Sequence, residues 1–308
     1  MMPGAGMMPG PTVAAGPGAD AVPDPELVQV NGRAAAEVSV LERGLHYGDG
    51  LFETIACIGA RPRFLDLHLG RITRGCARLG LEFTETAALA EEVRALAADT
   101  SRAIVKVLVT RGVGLVRGYA LTGREQPTRV TLRYAWPEDD PALAQKGVRV
   151  RLAQQRLGEN PALAGLKHCN RLEQILARRE WTEPEIVDSI MFSSSGALIS
   201  GTLTNVFLVQ GSNLVTPRVD RCGVAGVMRA VVLAAATAAG IKTEERVLDA
   251  QDLAHAQELF LTNALTGIRP VRELEGAPRT VGPLTRRLQA QLAPLLAAGA
   301  DSPGGSNA

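Results

Sequence analysis

The sequence predicts an α+β protein of two domains built on mixed sheets. Strand-like runs such as LVQV, LFETIACI, AIVKVLVT and TRVTLRY are interleaved with segments of helical period, so both element types share the chain. They follow no regular strand–helix alternation and no internal repeat, which argues against a doubly wound or solenoid fold. A length of 308 residues suits two domains of ordinary size, and the polar, proline-punctuated stretch PEDDPALAQKG, from Pro137 to Gly147, offers the break between them.

The first 25 residues, MMPGAGMMPGPTVAAGPGADAVPDP, lack a basic start followed by an apolar core and read as a floppy tail, not a secretory signal. The expected organisation is a disordered tail over 1–26, a small N-terminal α/β domain over 27–140, a larger C-terminal domain over 141–297 and a second disordered tail over 298–308.

In the first domain, LVQVNG and AEVSVL are expected to pair as a tight hairpin around Asn31 and Gly32. LFETIACIG, a turn from Gly59 to Pro62, and RFLDL suggest a second hairpin. Leu69, Ile72, Cys76 and Leu79 then recur at spacings of three and four, the mark of one buried helical face, and Gly80 ends that helix. A second helix starts from Thr84 or Thr86 as N-cap, with Leu89, Val93 and Leu96 on its apolar side. In the strand AIVKVLVT, Lys106 shares a face with Ile104 and Leu108, so its ammonium either reaches water at the sheet edge or meets an anionic partner. The Gly-rich loop RGVGLVRGYALTGREQP leads to the strand TRVTLRYAW.

Beyond the break, the expected order is a strand VRVRLAQQ and a helix at about Asn170 to Trp181 with Leu172, Ile175 and Leu176 facing inward. Strands SIMFS, ALIS, NVFLV and NLVTP follow, then an Ala-rich helix from about Val227 to Ala239 and a strand ELFLTN.

Composition narrows the function. With 33 Lys+Arg against 32 Asp+Glu the net charge is +1, too balanced for a nucleic-acid footprint, and no apolar window approaches the roughly 20 residues of a spanning helix. The four cysteines, Cys57, Cys76, Cys169 and Cys222, show no CxxC spacing, which points away from disulfides and structural zinc and toward a reducing cytoplasm. The four histidines form no HxxxH or HExxH pair, so no metal site is expected. Motifs of the GxSxG, GxxxxGK[ST] and GxGxxG types are missing at the strand–helix junctions where they act.

What remains is Lys167, set in LGENPALAGLKHCNRLEQILARRE after a Pro/Gly-broken loop and just before a helix. The positive end of a helix dipole would lower its pKa and favour the neutral, nucleophilic amine that a Schiff base needs. A second feature, CGVAGVMR, places Gly223 and Gly226 ahead of the helix that carries Arg229, where small residues let an anion approach backbone N–H groups. Arg71, in HLGRI, could add a bidentate contact to the same anion.

Taken together, ERGLHYGDGLFET, LDLHLGRI, VKVLVTRG with the following RGY, RLGENPALAGLKHCNRLEQILAR, GTLTNVFLV, TPRVDRCGVAGVMR and FLTNALTGIRPV resemble the fold-type IV pyridoxal-phosphate enzymes. That group holds branched-chain and D-amino-acid aminotransferases and the aminodeoxychorismate lyases. The wider group shares the lysine, whereas the lyases share nearly the whole string LGENPALAGLKHCNRLEQ.

The resemblance implies a D-amino-acid-aminotransferase-like fold, with pyridoxal 5'-phosphate bound in the C-terminal domain. Lys167 would carry the cofactor and move the proton, Arg71 and the amides of Val227 and Met228 after Gly226 would hold its phosphate, and Asn263 would lie near phosphate or substrate. Arg117 and Tyr119 match a loop that in relatives reaches the neighbouring subunit's site to hold a substrate carboxylate, which implies a homodimer with shared sites. Lys106 is a second candidate for the substrate's carboxylates. Thr54 is a candidate acid toward the leaving group and equally a strand residue chosen for β propensity.

One departure bears on the activity. Where most of the group has Glu ahead of the GTxxN-like segment, this chain has Ser200. A hydroxyl offers no full negative charge to hold a pyridinium, so the ring becomes a weaker electron sink. Transamination depends more on that sink than a lyase reaction drawn forward by forming an aromatic ring. The implied activity is conversion of 4-amino-4-deoxychorismate to 4-aminobenzoate and pyruvate in folate biosynthesis; the alternative is an aminotransferase for branched-chain or D-amino acids.

Overall fold

The computed structural model describes residues 25–137 and 140–298. Both expected tails lie largely outside the described residues. In chain order the elements of the first part are β1 (Leu27–Val30), β2 (Arg33–Ala34), α1 (Arg43–Tyr47), β3 (Gly50–Ile58), β4 (Arg61–Pro62), α2 (Leu65–Arg78), α3 (Thr86–Ala97), β5 (Arg102–Thr110) and β6 (Thr128–Ala135). They form an antiparallel sheet in the order β2-β1-β6-β5-β3-β4.

Strand alternation gives this sheet two functions. Leu51, Ile55 and Cys57 of β3, with Val105, Val107 and Val109 of β5, face α2 and α3 and meet Leu69, Ile72, Leu89 and Val93 in one core. The alternate residues Phe52 and Thr54 face the other way, toward a cavity. Helix α2 comes close to β3 at Gly75, where a Cβ would lie 2.6 Å from Leu51 Cδ1.

The second part holds α4 (Leu143–Lys146), β7 (Val148–Leu152), α5 (Leu172–Arg178), β8 (Ile186–Phe192), β9 (Leu198–Gly201), β10 (Asn205–Gln210), β11 (Asn213–Pro217) and α6 (Val227–Ala238). It ends with β12 (Thr243–Arg246), α7 (Ala250–His255), β13 (Glu258–Asn263), β14 (Gly267–Leu274), β15 (Ala277–Pro278) and α8 (Pro283–Ala298). The sheet runs β12-β11-β10-β13-β14-β7-β8-β9 and mixes parallel with antiparallel pairs. Because β9 also pairs with β10, through Ser200 and Asn205, six strands close into a ring. Val206, Leu208, Leu259, Leu261 and Ile190 fill it. Phe207 and Val209, one residue out of phase, lie outside with Phe260 against α6 and α8.

Several expectations need correction. The partner of β1 is only Arg33–Ala34, and residues 36–41 form no strand, although Asn31 and Gly32 do make the turn with positive φ. The second hairpin turns already at Gly59 and Ala60, so β4 is two residues long and Leu65 begins α2. Neither Thr84 nor Thr86 caps α3; Glu85 stands at its N-cap without a side-chain bond. The strand VRVRLAQQ stops at Leu152.

The largest correction concerns α5, which spans only Leu172–Arg178 and buries Ala177 alone. Leu172, Ile175 and Leu176, expected inward, are 72%, 53% and 47% exposed.

Candidate active site

A cavity of about 540 Å³ opens between the two sheets. Phe52 and Thr54 of β3 and Arg71 of α2 line one side; the other is formed by the rim of the ring at Ser200–Asn205 and Thr262–Leu265, the start of α6, and α5. Of the residues singled out from sequence, Lys167, Thr54, Arg71, Ser200, Gly226, Val227, Met228 and Asn263 line it.

Lys167 belongs to the loop between β7 and α5, and backbone pairing fixes it there. Phe52 N donates to the Lys167 carbonyl at 2.9 Å, Cys169 N donates to the Gly50 carbonyl at 2.9 Å, and Leu51 bridges His168. The loop thus adds to the edge of β3 and holds the Lys167 ammonium 4.1 Å from the centre of the Phe52 ring. Burial of the amine, with the nearby Arg71 charge as the next contribution, lowers its pKa to about 8. The expected helix dipole is not the cause, since α5 begins only at Leu172 and has seven residues.

Opposite the lysine stands the start of α6. Gly226 is its N-cap, no side chain caps it, and so its first amides are left for a ligand. Gly226 has a steric reason: a Cβ there would lie 2.0 Å from Asn205 Oδ1, while Asn205 Nδ2 holds the Val224 carbonyl at 2.9 Å. Arg229, on the same helix, turns away and donates to the Pro217 carbonyl and to Glu245.

Arg71 approaches from α2. Its Nη1 donates to the Ala225 carbonyl at 2.9 Å, just ahead of α6, while Nε and Nη2 grip both oxygens of Glu53 at 2.7 and 2.5 Å. Glu53 is 1% exposed. Burial pushes its carboxyl up, but the charge of Arg71 and the bond from His68 outweigh that and hold it at about 2. Nothing in the FET segment hints at this pairing, because Arg71 is brought to Glu53 only by the packing of α2 on β3.

Further residues of the site escaped the sequence reading. Thr262 Oγ1 is buried in the cavity wall without a hydrogen-bond partner among the described residues. Arg171 also lines the cavity, donating from Nε to the His168 carbonyl at 2.9 Å and from Nη2 to the His168 ring at 2.6 Å. Burial, then the Arg171 charge, drives His168 down to about 4, so it is the neutral acceptor of that bond. Behind the rim, the Asp188 carboxylate accepts from the hydroxyls of Thr202 and Thr204 and fixes the turn between β9 and β10. Among the described residues, Ser200 Oγ bonds only locally, to the Gly201 carbonyl at 2.8 Å. Asn263 Oδ1 accepts from the amides of Leu265 and Thr266 and shapes the neighbouring wall.

Three residues singled out from sequence are not in the cavity wall. Lys106 pairs in register with Thr54, and its ammonium lies 6.0 Å from the Phe52 ring; no carboxylate pairs with it among the described residues. Arg117 and Tyr119 lie on an exposed loop, Tyr119 at 82% exposure with its ring 5.2 Å from that of Tyr47.

A lysine amine of lowered pKa, an uncapped helix start, a guanidinium and an unpartnered hydroxyl around one cavity fit a ligand bearing an aldehyde and a phosphate, as pyridoxal 5'-phosphate does. Residues 50–274 match the family described as Amino-transferase class IV. Aminodeoxychorismate lyase of Vibrio harveyi is 32% identical over 268 residues, covering 85% of this chain and 98% of its own. D-alanine aminotransferase of Bacillus licheniformis is 25% identical over 269 residues, 84% of this chain and 92% of its own. Among solved structures, 4-amino-4-deoxychorismate lyase of Pseudomonas aeruginosa superposes with a TM-score of 0.85 at 44% identity, covering 88% of this chain and all of the other. The chain belongs to the class IV amino-transferase family.

Proposed function

We propose that this chain is a pyridoxal-phosphate-dependent carbon–oxygen lyase that converts 4-amino-4-deoxychorismate to 4-aminobenzoate and pyruvate, the step supplying the aromatic part of folate. The observation that carries the chemistry is Lys167, its pKa lowered to about 8, facing an anion cradle across one cavity. The 44% identity to the Pseudomonas aeruginosa lyase favours this substrate over an amino acid.

In this reading Arg71 and the amides of Val227 and Met228 hold the phosphate, and Lys167 anchors the aldehyde carbon. When bound, the cofactor supplies the electron-withdrawing ring that acidifies the carbon carrying the substrate's amine. Once its amine is free of the aldehyde carbon, Lys167 would take the proton from the substrate carbon that carries the amine, as general base. The ring carbon–oxygen bond to the enolpyruvyl group then breaks, the carbocycle becomes aromatic, and the enolpyruvate leaves. Thr54, in the same wall and beside Lys106, would pass a proton to the leaving oxygen so that it departs as the enol, which becomes pyruvate on protonation at its methylene carbon.

Ser200 supports the lyase over the aminotransferase for the electronic reason given above. The 25% identity to a D-alanine aminotransferase over most of the chain keeps transamination as the second reading. Coupling the protein to an aminodeoxychorismate synthase separates the two. The lyase releases 4-aminobenzoate, whereas turnover of an amino acid with 2-oxoglutarate and no 4-aminobenzoate would establish the aminotransferase.

The same reading takes the chain as a small domain over 27–140 and a cofactor domain over 141–297, working in the cytoplasm as a homodimer. Two apolar surfaces support the dimer: the exposed face of α5 at the cavity mouth, and the loop holding Leu115, Val116, Tyr119 and Leu121. Docking the loop of one copy on the α5 face of the other would cover both and bring Arg117 to the partner's cavity.

A further inference from the structure

The phosphate arginine does not stand alone. Arg71 has five N–H groups, and the protein uses three of them: Nε and Nη2 for the two oxygens of Glu53, and Nη1 for the Ala225 carbonyl. This fork-to-fork pairing fixes the plane of the guanidinium and leaves two N–H groups for the cavity that Arg71 lines. Glu53 is itself oriented by the buried His68, whose Nδ1 donates to Oε2 at 2.7 Å. Burial lowers the His68 pKa, against the pull of the Glu53 carboxylate it faces.

A carboxylate this deep would be costly without a partner, and it has no contact with the cavity. Its position is explained by what it does to Arg71. The guanidinium spans from β3 to the residue before the N-cap of α6, so its orientation also fixes the cradle's position against the first sheet.

We infer that Glu53, set by His68, is a positioning residue that aims Arg71 at the cofactor phosphate and ties the start of α6 to the first sheet. The inference rests on the reading of the cavity as a pyridoxal-phosphate site. Glu53→Gln keeps the volume and one acceptor but removes the charge that holds both guanidinium nitrogens. Affinity for pyridoxal phosphate, measured by cofactor fluorescence after dialysis of the holoenzyme, should weaken about 10- to 100-fold, as at metal sites when a group that orients a ligating side chain is removed. The ³¹P resonance of bound cofactor should move toward its position in free solution.

The decisive control is coupling. In an Arg71→Gln background, Glu53→Gln should cost little further affinity, because the residue it positions is gone. Equal weakening in both backgrounds would mean a merely structural role and overturn the inference, as would unchanged affinity and ³¹P shift. Should Glu53→Gln fail to fold, His68→Gln provides the same test, with a smaller loss expected that also vanishes in the Arg71→Gln background. A wild-type protein that binds no pyridoxal phosphate would instead refute the functional reading, and this inference with it.

Discussion

At the scale of single residues, the proposed chemistry turns on Lys167. With a folded pKa of about 8 against an ordinary value of 10.5, its neutral fraction in the apoprotein rises steeply between pH 7 and pH 9. The rate at which added pyridoxal phosphate couples to the apoprotein should therefore increase roughly tenfold over that interval, read from its absorbance. Stability carries the opposite face of the same shift. Between about 8 and 10.5 the unfolded chain binds more protons at this group than the folded chain, so its contribution to apoprotein stability improves as pH rises through that window.

Ser200 makes a second prediction: Ser200→Glu should raise side transamination relative to lyase turnover, measured as amino-acid-dependent against 4-aminobenzoate-forming rates. If both rates stay at their wild-type values, the electronic argument from the missing carboxylate is wrong. Lys167, Arg71 and Ser200 were legible because they sit in contiguous motifs. Glu53, Arg171 and Thr262 were not, because their roles come from residues that only folding brings near, α2 on β3 above all.

At the scale of elements, the start of α6 is the most sharply constrained feature. Gly226→Ala would drive a Cβ against Asn205 Oδ1 and push the helix start off the cradle. The expected cost is about 1–3 kcal/mol of stability together with weakened cofactor binding, readable in thermal melts with and without pyridoxal phosphate. Helix α6 was legible from its glycines and alanine-rich run, and α2 from its period. Helix α5 shows the limit of periodicity. Its Leu172, Ile175 and Leu176 repeat as a buried face would, yet the pattern does not say which body covers the face, and in this chain its own core does not. The Lys167 loop had no periodic mark at all; its order comes from pairing with the edge of β3.

At the scale of the whole molecule, two sheets of different construction meet around one cavity. The antiparallel sheet presents Phe52 and Thr54, and the closed ring presents its seam at Ser200 and Asn205. The mixed sheets of the second part were legible from the spacing of short strands, but ring closure was not, since it depends on one pairing between β9 and β10. The near-zero net charge fits a site in which a few placed cations handle anionic ligands, with no basic surface. If the α5 face is covered by a second copy, Leu172→Asp with Ile175→Asp should leave the monomer fold within about 0.5 kcal/mol per site of its stability while dissociating the dimer, as read by sedimentation. A double variant that remains dimeric would place the interface elsewhere.

The most direct measurement uses the scarcity of lysine in this chain, which has four: Lys106, Lys146, Lys167 and Lys242. Reduction of the holoenzyme with borohydride, followed by peptide mass spectrometry, should place one phosphopyridoxyl group on Lys167, and Lys167→Ala should abolish both the label and release of 4-aminobenzoate. Label on another lysine, or 4-aminobenzoate formation that survives Lys167→Ala, would contradict the account.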